Sequence, residues 1–407
     1  MEKIANSLVA LKKYCEAENF KGYDPYDGLN SRLFKALPFV GRSAVARLVW
    51  IQLFKRMPLN LRSLVGIDKD YNAKGIGLFL DGYLTLLEVV RLKPALAEKF
   101  GSADELRATA ARLAELLVSL SAKGFSGAAW GYNFPWQCRR EFLFPANEPT
   151  VVATNFCAGA LLRAAGEFGR ADWRECALSS ARFVVSDLRR TPHKGGFIFS
   201  YSKMPGNDTI YNASLLGSRL LSLCAQAGAD DAETLLGLAK SSVTACCADQ
   251  RPDGSWTYGV KPVTGWVDSF HTGYNLDGIS AYENISGDRS FHENLEKGLD
   301  YYVNTFFNPE TGQASYYNNQ VYPIDIHCPG QLPVTLSRTG SYARYAHLAR
   351  KVLHHAIDTM QAPQGYFYYQ LKKGISSHIS YMRWSNAFMF AALATAVREE
   401  TLLTVVK

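Results

Sequence analysis

The sequence predicts an all-α toroid, an (α/α)6 or (α/α)7 ring of helical hairpins with short aromatic β-turns at one mouth. Three observations carry this. After residue 122 a glycine-rich, aromatic turn recurs five times, with a period of roughly 55–65 residues, the length of two helices and their loops. Each turn leads into a helix rich in small residues, and then, except after the last turn, into a more ordinary amphipathic one. The chain has 407 residues, 47% of them hydrophobic, a length that ring and solenoid folds reach by adding units. Residues 1–407 are read as one toroid domain, with divergent N-terminal hairpins in 1–122 and five clearer repeats in 123–407.

Taken in order, the segment up to Phe20 reads as a short amphipathic helix, followed by the turn Gly22-Tyr23-Asp24-Pro25-Tyr26-Asp27-Gly28 and a further helix start. A basic, apolar helix runs from Ala44 to Lys55 and stops before Pro58. Another begins in Gly75-Ile76-Gly77-Leu78-Phe79, and a long one spans Ala103 to Ala122. The five turns are 127–132, 195–201, 253–258, 311–317 and 364–369. The small-residue helices after them start near Ala153, Ile210, Asp268, Asp325 and Arg383. Between turns, Trp173–Leu188, Asp231–Ala248 and Ser290–Phe306 read as the second helices. In a ring the first helix of each pair goes inside, where small residues such as Ala158-Gly159-Ala160 relieve crowding. Alternation in Phe197-Ile198-Phe199 and Tyr366-Phe367-Tyr368 predicts small strands at the mouth.

Composition narrows the function. The formal net charge is +7, without a long basic run, which favours an anionic small molecule or sugar. No Lys/Arg tract is interleaved with aromatics, so nucleic acid is not expected as a partner. Eight cysteines lie mostly in apolar helical surroundings and form no CxxC pair, so buried free thiols in a reducing, cytoplasmic compartment are expected. Neither a signal-peptide pattern nor an apolar run of membrane-spanning length is present. No nucleotide signature occurs, and adjacent Cys246 and Cys247 point apart on a helix. No cofactor or metal is expected.

The chemistry concentrates in Gly254-Ser255-Trp256-Thr257-Tyr258-Gly259 and Trp266-Val267-Asp268-Ser269-Phe270-His271-Thr272-Gly273-Tyr274-Asn275. Asp268, His271 and Asn275 share one helical face, with Tyr274 beside His271. The aromatics Trp130, Tyr132, Trp136, Tyr201, Trp256, Tyr258, Tyr316, Tyr368 and Trp384 are expected at the same mouth, where rings either stack on sugar faces or pack neighbouring hairpins together.

With this architecture and these residues, the chain resembles the α/α-toroid enzymes of carbohydrate metabolism: six-hairpin glycosidases, toroid polysaccharide lyases, uronate C5-epimerases and N-acylglucosamine 2-epimerases. It also looks like proteins of bacterial exopolysaccharide and capsule pathways. Gln250-Arg251-Pro252-Asp253-Gly254-Ser255-Trp256 is similar to the Gln-Xaa-Xaa-Xaa-Gly-Xaa-Trp brace of terpene cyclases, which share the ring fold; the acidic cyclase motif is absent. Asp268-Ser269-Phe270-His271-Thr272-Gly273-Tyr274 is similar to the His/Tyr segment of toroid lyases. That resemblance implies His271 and Tyr274 as proton-transfer groups and Asn155 or Asn212 as the partner of a substrate carboxylate.

Two chemistries and one inert alternative remain open. Proton abstraction from an acidic saccharide, as in an epimerase or lyase, needs a base, an acid and groups that stabilise an enediolate. His271, Tyr274, His327, Asn155 and Arg383 are of the right types. Hydrolysis needs two carboxyl groups across a sugar. Asp268 and Asp325 hold equivalent places in consecutive repeats, and Asp27 is expected to begin an early inner helix, although aspartate there is also an N-cap. Arg139 and Arg140, beside Trp136, would grip a carboxylate or phosphate in a bidentate fork. A ring that kept its aromatics but lost its catalyst would be a glycan-binding or scaffold subunit.

Overall fold

Small residues decide which helices go inside. In the computed structural model, which describes residues 1–138 and 142–405, with the side chains of Pro38, Cys138 and Phe142 left out, the chain opens with α1 (Glu2–Ala17). Three short helices follow, α2 (Arg32–Lys35), α3 (Pro38–Arg42) and α4 (Ala44–Arg56). Next come α5 (Ala73–Leu92), α6 (Ala97–Phe100) and α7 (Ala103–Ser119), then strands β1 (Trp136–Cys138) and β2 (Phe142–Phe144). The regular part continues with α8 (Val151–Phe168), α9 (Ala171–Arg182), β3 (Arg190–His193), β4 (Gly196–Phe199), α10 (Tyr211–Gln226) and α11 (Ala232–Cys247). It ends with α12 (Ser269–Ser286), α13 (His292–Phe306), β5 (Ile324–Asp325), α14 (His327–Arg338), α15 (Tyr342–Met360), β6 (Tyr368–Leu371), β7 (Ser377–Ser380) and α16 (Phe388–Val405).

Helices α5, α8, α10, α12, α14 and α16 form the inner ring, each packed on the next and α16 returning to α5. Their approach is close because glycines face neighbours. A Cβ at Gly77 would lie 3.1 Å from the Phe156 carbonyl, and one at Gly278 only 2.6 Å from that of Leu215. Helices α7, α9, α11, α13 and α15 pack outside the inner helix that precedes each of them. The outer partner of α16 is α1. The ring therefore has six hairpins, and its sixth is made from the two ends of the sequence described. Asp27 starts no inner helix: it lies in a one-turn 3-10 segment, Asp27–Asn30.

The recurring turns have a mechanical role. A Cβ on Gly254 would sit 2.4 Å from the Lys297 carbonyl of α13, one on Gly312 2.4 Å from Lys351 of α15, and one on Gly365 2.4 Å from Ala10 of α1. Each turn thus lies flush on the backbone of an outer helix, an approach that only glycine permits. Gln250 ties the third turn by donating to Gly254 O at 3.0 Å and Asn294 O at 2.9 Å, and Gln361 ties the fifth to Gly365 O and Ser7 O. The strand expected at Phe197–Phe199 forms as Gly196–Phe199 in the antiparallel pair β3–β4, whereas that expected at Tyr366–Tyr368 is displaced along the chain to Tyr368–Leu371, in the three-stranded antiparallel sheet β5–β6–β7. The seven cysteines other than Cys138 are unpaired, and all but Cys176 are buried.

Candidate active site

All six inner helices present their N-terminal ends to one mouth. Lys74, Val152, Asn212, His271, His327 and, from the short π-helical segment Met382–Ala387 before α16, Arg383 and Trp384 carry the lining there. Polar side chains close several of these ends: Asn72 accepts from Gly75 N, Thr150 from Ala153 N, Asp268 from His271 N and Asp325 from His327 N. In the first four turns, side chains two residues apart sit at different depths. Trp130, Phe199, Trp256 and Ala314 pack inward, and Tyr132, Tyr201, Tyr258 and Tyr316, two residues later, line an open cavity of about 760 Å³.

On the cavity floor two histidines flank Phe270, with ring centroids 4.1 Å (His271) and 4.3 Å (His327) from it. His271 Nδ1 lies 2.7 Å from Asp268 Oδ2. A carboxylate only accepts, so Nδ1 carries the proton and the Nε2 lone pair is left for a base. Asp268 is fixed in turn by Trp266 Nε1 at 3.0 Å and by the His271 amide at 3.1 Å. His327 Nε2 lies 2.8 Å from the Tyr274 hydroxyl, both groups buried, and His327 Nδ1 is buried with no partner among the described residues. Burial, then the nearby Lys74, His271 and Arg383, holds the His327 pKa well below 6.5 and keeps the ring neutral. Burial also raises the Tyr274 phenol, so it stays protonated.

Lys74 completes the cluster. Its Nζ lies 3.4 Å from the Tyr274 hydroxyl and over the rings of Phe156, Phe388 and Tyr274, at 4.3, 4.8 and 5.3 Å from their centroids. No carboxylate pairs with it among the described residues. Burial and the adjacent Arg383 push its pKa well below the usual lysine value. Arg383 is held in a bidentate fork by Asp24, at 2.5 and 2.8 Å, beneath Tyr132 and Trp384. Although burial opposes its charge, Asp24 outweighs this and raises the Arg383 pKa. With Lys55 and Arg56 at the rim, the lining has four basic side chains and, among the described residues, no carboxylate.

Of the residues picked from the sequence, His271, Tyr274, His327, Asn212, Tyr132, Trp136, Tyr258, Arg383 and Trp384 come together on the cavity wall. Asp268 stands one layer behind, as the support of His271. Asp325 is also behind the wall, spent on Trp384 Nε1 at 2.8 Å, Gln370 Nε2 at 2.6 Å and the His327 amide at 3.0 Å. Trp130 and Trp256 are not at the mouth: their indoles are buried and donate to the carbonyls of Leu117 and Cys246. Tyr368 stacks on His378 away from the cavity. Asn155 accepts from Arg219 at 3.0 Å and is off the lining. Asp27 is consumed by Arg62 at 2.7 Å. Arg139 and Arg140 lie outside the described residues.

Sequence reasoning missed Lys74, Asp24 and Tyr26 as residues of this site. For Lys74 the available signal was a lone charge opening a glycine-rich apolar run, Ala73-Lys74-Gly75-Ile76-Gly77. The Asp24–Arg383 pair joins residues 359 apart, which local spacing does not reveal.

No protein-family model and no curated protein matches this chain. Solved structures do. An unsaturated glucuronyl hydrolase specific for heparin aligns with a TM-score of 0.60 at 12% identity, over 99% of this chain and 97% of that one. Cellobiose 2-epimerase from Bacillus thermoamylovorans B4167 gives 0.59 at 11% identity, over 80% and 87%. A polysaccharide lyase gives 0.53 at 13% identity, over 80% and 90%. At such identities the likeness establishes the α/α-toroid fold.

Proposed function

We propose that the protein is a carbohydrate-active enzyme that removes a proton from a carbon next to the carboxylate or carbonyl of an acidic saccharide, as an epimerase or a lyase does. The observation that carries this reading is a floor with two histidines and a tyrosine and no carboxylate among its described residues. His271 Nε2 takes the proton and Asp268 steadies the imidazolium that forms. The C–H electron pair moves into an enediolate, stabilised by Lys74, Arg383 and Asn212 together with the converging helix N-termini. Tyr274, backed by His327, gives a proton either to the opposite face of that carbon, which inverts it, or to the departing glycosidic oxygen, which cleaves the chain. The tyrosines of the turns offer ring faces to the sugar. Fold neighbours that act on glycans support the reading by analogy. Hydrolysis through Asp268 and Asp325 is disfavoured, because both carboxylates are already bonded behind the wall.

The test is a panel of uronate and neutral oligosaccharides incubated with the protein in D2O and followed by NMR. For an epimerase, deuterium should enter at the carbon next to the carboxylate or carbonyl. For a lyase, that carbon loses its proton and joins a C=C bond, seen as a new vinylic signal without oxygen uptake from water. His271→Ala should slow either reaction about 100- to 10,000-fold while binding persists. Cleavage that takes oxygen from water without deuterium entering carbon would mean a hydrolase; binding without any turnover would mean a glycan-binding subunit.

A further inference from the structure

The net charge of the protein is concentrated in one stretch. From Leu29 to Ile67 the chain has seven Lys or Arg and no Asp or Glu. Outside it 37 Lys and Arg face 37 Asp and Glu, so the whole formal charge of +7 belongs to this stretch. The same stretch breaks the usual rule for apolar side chains. Nine of the sixteen large hydrophobic residues exposed among the described residues fall between Leu33 and Leu64, including Phe39 (82% exposed) and Leu64 (80%).

These features share a surface. Along α4, Val45, Val49, Leu53 and Arg56 are exposed at helical spacing, while Ile51 and Phe54 face inward, and Arg42 is exposed at the end of α3 just before it. The β6–β7 loop adjoins it: Lys372 donates to the Arg56 carbonyl at 3.3 Å, and Lys373 and Ile375 are exposed. Lys35, Arg42 and Arg56 have no carboxylate partner among the described residues, and Arg32 pairs with Asp68 at the edge of the patch.

We propose that this face docks on an anionic phospholipid bilayer. Exposed apolar side chains bracketed by unpaired basic ones match what lies at such a surface, acyl chains beneath negative headgroups. A second copy of the chain is the poorer occupant, because a two-fold contact would set one basic patch against the other. With 13 residues, α4 is only about 20 Å long, so it lies along the interface rather than across the bilayer. Leu48, Gln52, Lys55 and Arg56 of the same helix line the cavity. Docking therefore brings the cavity mouth to the headgroup layer.

The experiment is flotation of the full chain with vesicles of phosphatidylcholine alone or mixed with phosphatidylglycerol, at low and high salt. Binding to the mixed vesicles, released by salt and absent with phosphatidylcholine alone, is expected. Lys35→Gln with Arg42→Gln should weaken partitioning on the order of 30-fold, at roughly five-fold per charge. Phe39→Ser with Val49→Ser should weaken it independently through lost apolar contact. All four positions are exposed, and unchanged circular dichroism verifies the fold of each variant. No flotation at low salt overturns the proposal, as does flotation indifferent to these changes, or a dimer dissociated by the same substitutions without vesicle binding. The vesicles carry no saccharide, so the outcome is independent of the chemistry proposed for the cavity.

Discussion

A buried lysine without a counter-ion costs stability, and Lys74 is one. An unneeded amine at this point would be better replaced by a methylene chain, since burying an ill-paired polar group costs about 1–3 kcal/mol. Lys74→Met should therefore raise stability by about that much in urea unfolding while abolishing turnover of the saccharide; loss of stability would show that the amine is structural. His327 makes a second prediction. Its folded pKa is well below 6.5, so below that pH the unfolded chain binds a proton that the folded chain does not. The contribution is intact above pH 6.5 and is lost as the pH falls, by up to about 1.4 kcal/mol per pH unit. His327→Gln should flatten this part of the stability curve, as measured by unfolding free energies at about pH 7.5 and 5.5.

The element that repeats is a turn laid on an outer helix, and its glycine is where it fails first. Gly254 has φ +90° and faces the Lys297 carbonyl. Gly254→Ala combines backbone strain with overpacking and should cost about 2–4 kcal/mol, seen as a lowered urea midpoint without contact with the cavity. These turns were legible because glycine and aromatics recur at fixed offsets. Which ring sits deep and which reaches the cavity was not: in Trp256-Thr257-Tyr258 both rings look equally fit for a sugar, and only the packing shows that the tryptophan braces the hairpin while the tyrosine faces the cavity. Asp268 was seen as both cap and candidate catalyst. The structure shows how one carboxylate serves the helix end and His271 together.

At the scale of the whole molecule, the α/α toroid followed from periodicity, but the choice between six and seven hairpins did not. The sixth pair is α16 with α1, and no local pattern marks two helices so far apart in sequence as partners. The same holds for Asp24 and Arg383, which link the first loop to the entrance of the last inner helix at the cavity floor. Asp24, which meets Arg383 only when the ring is closed, is a residue that sequence reasoning missed for this reason.

That closure bears on how the protein is made. The apolar face of α1, with Ile4, Leu8, Leu11 and Cys15, is buried against α15 and α16. During synthesis α1 emerges well before α15 and α16, so this face waits without a mate while the hairpins between them are made. The seam that finishes the barrel also seats Arg383 on Asp24. A nascent chain thus acquires its complete cavity only once α16 has been made, and until then α1 is the segment a chaperone would most profitably hold.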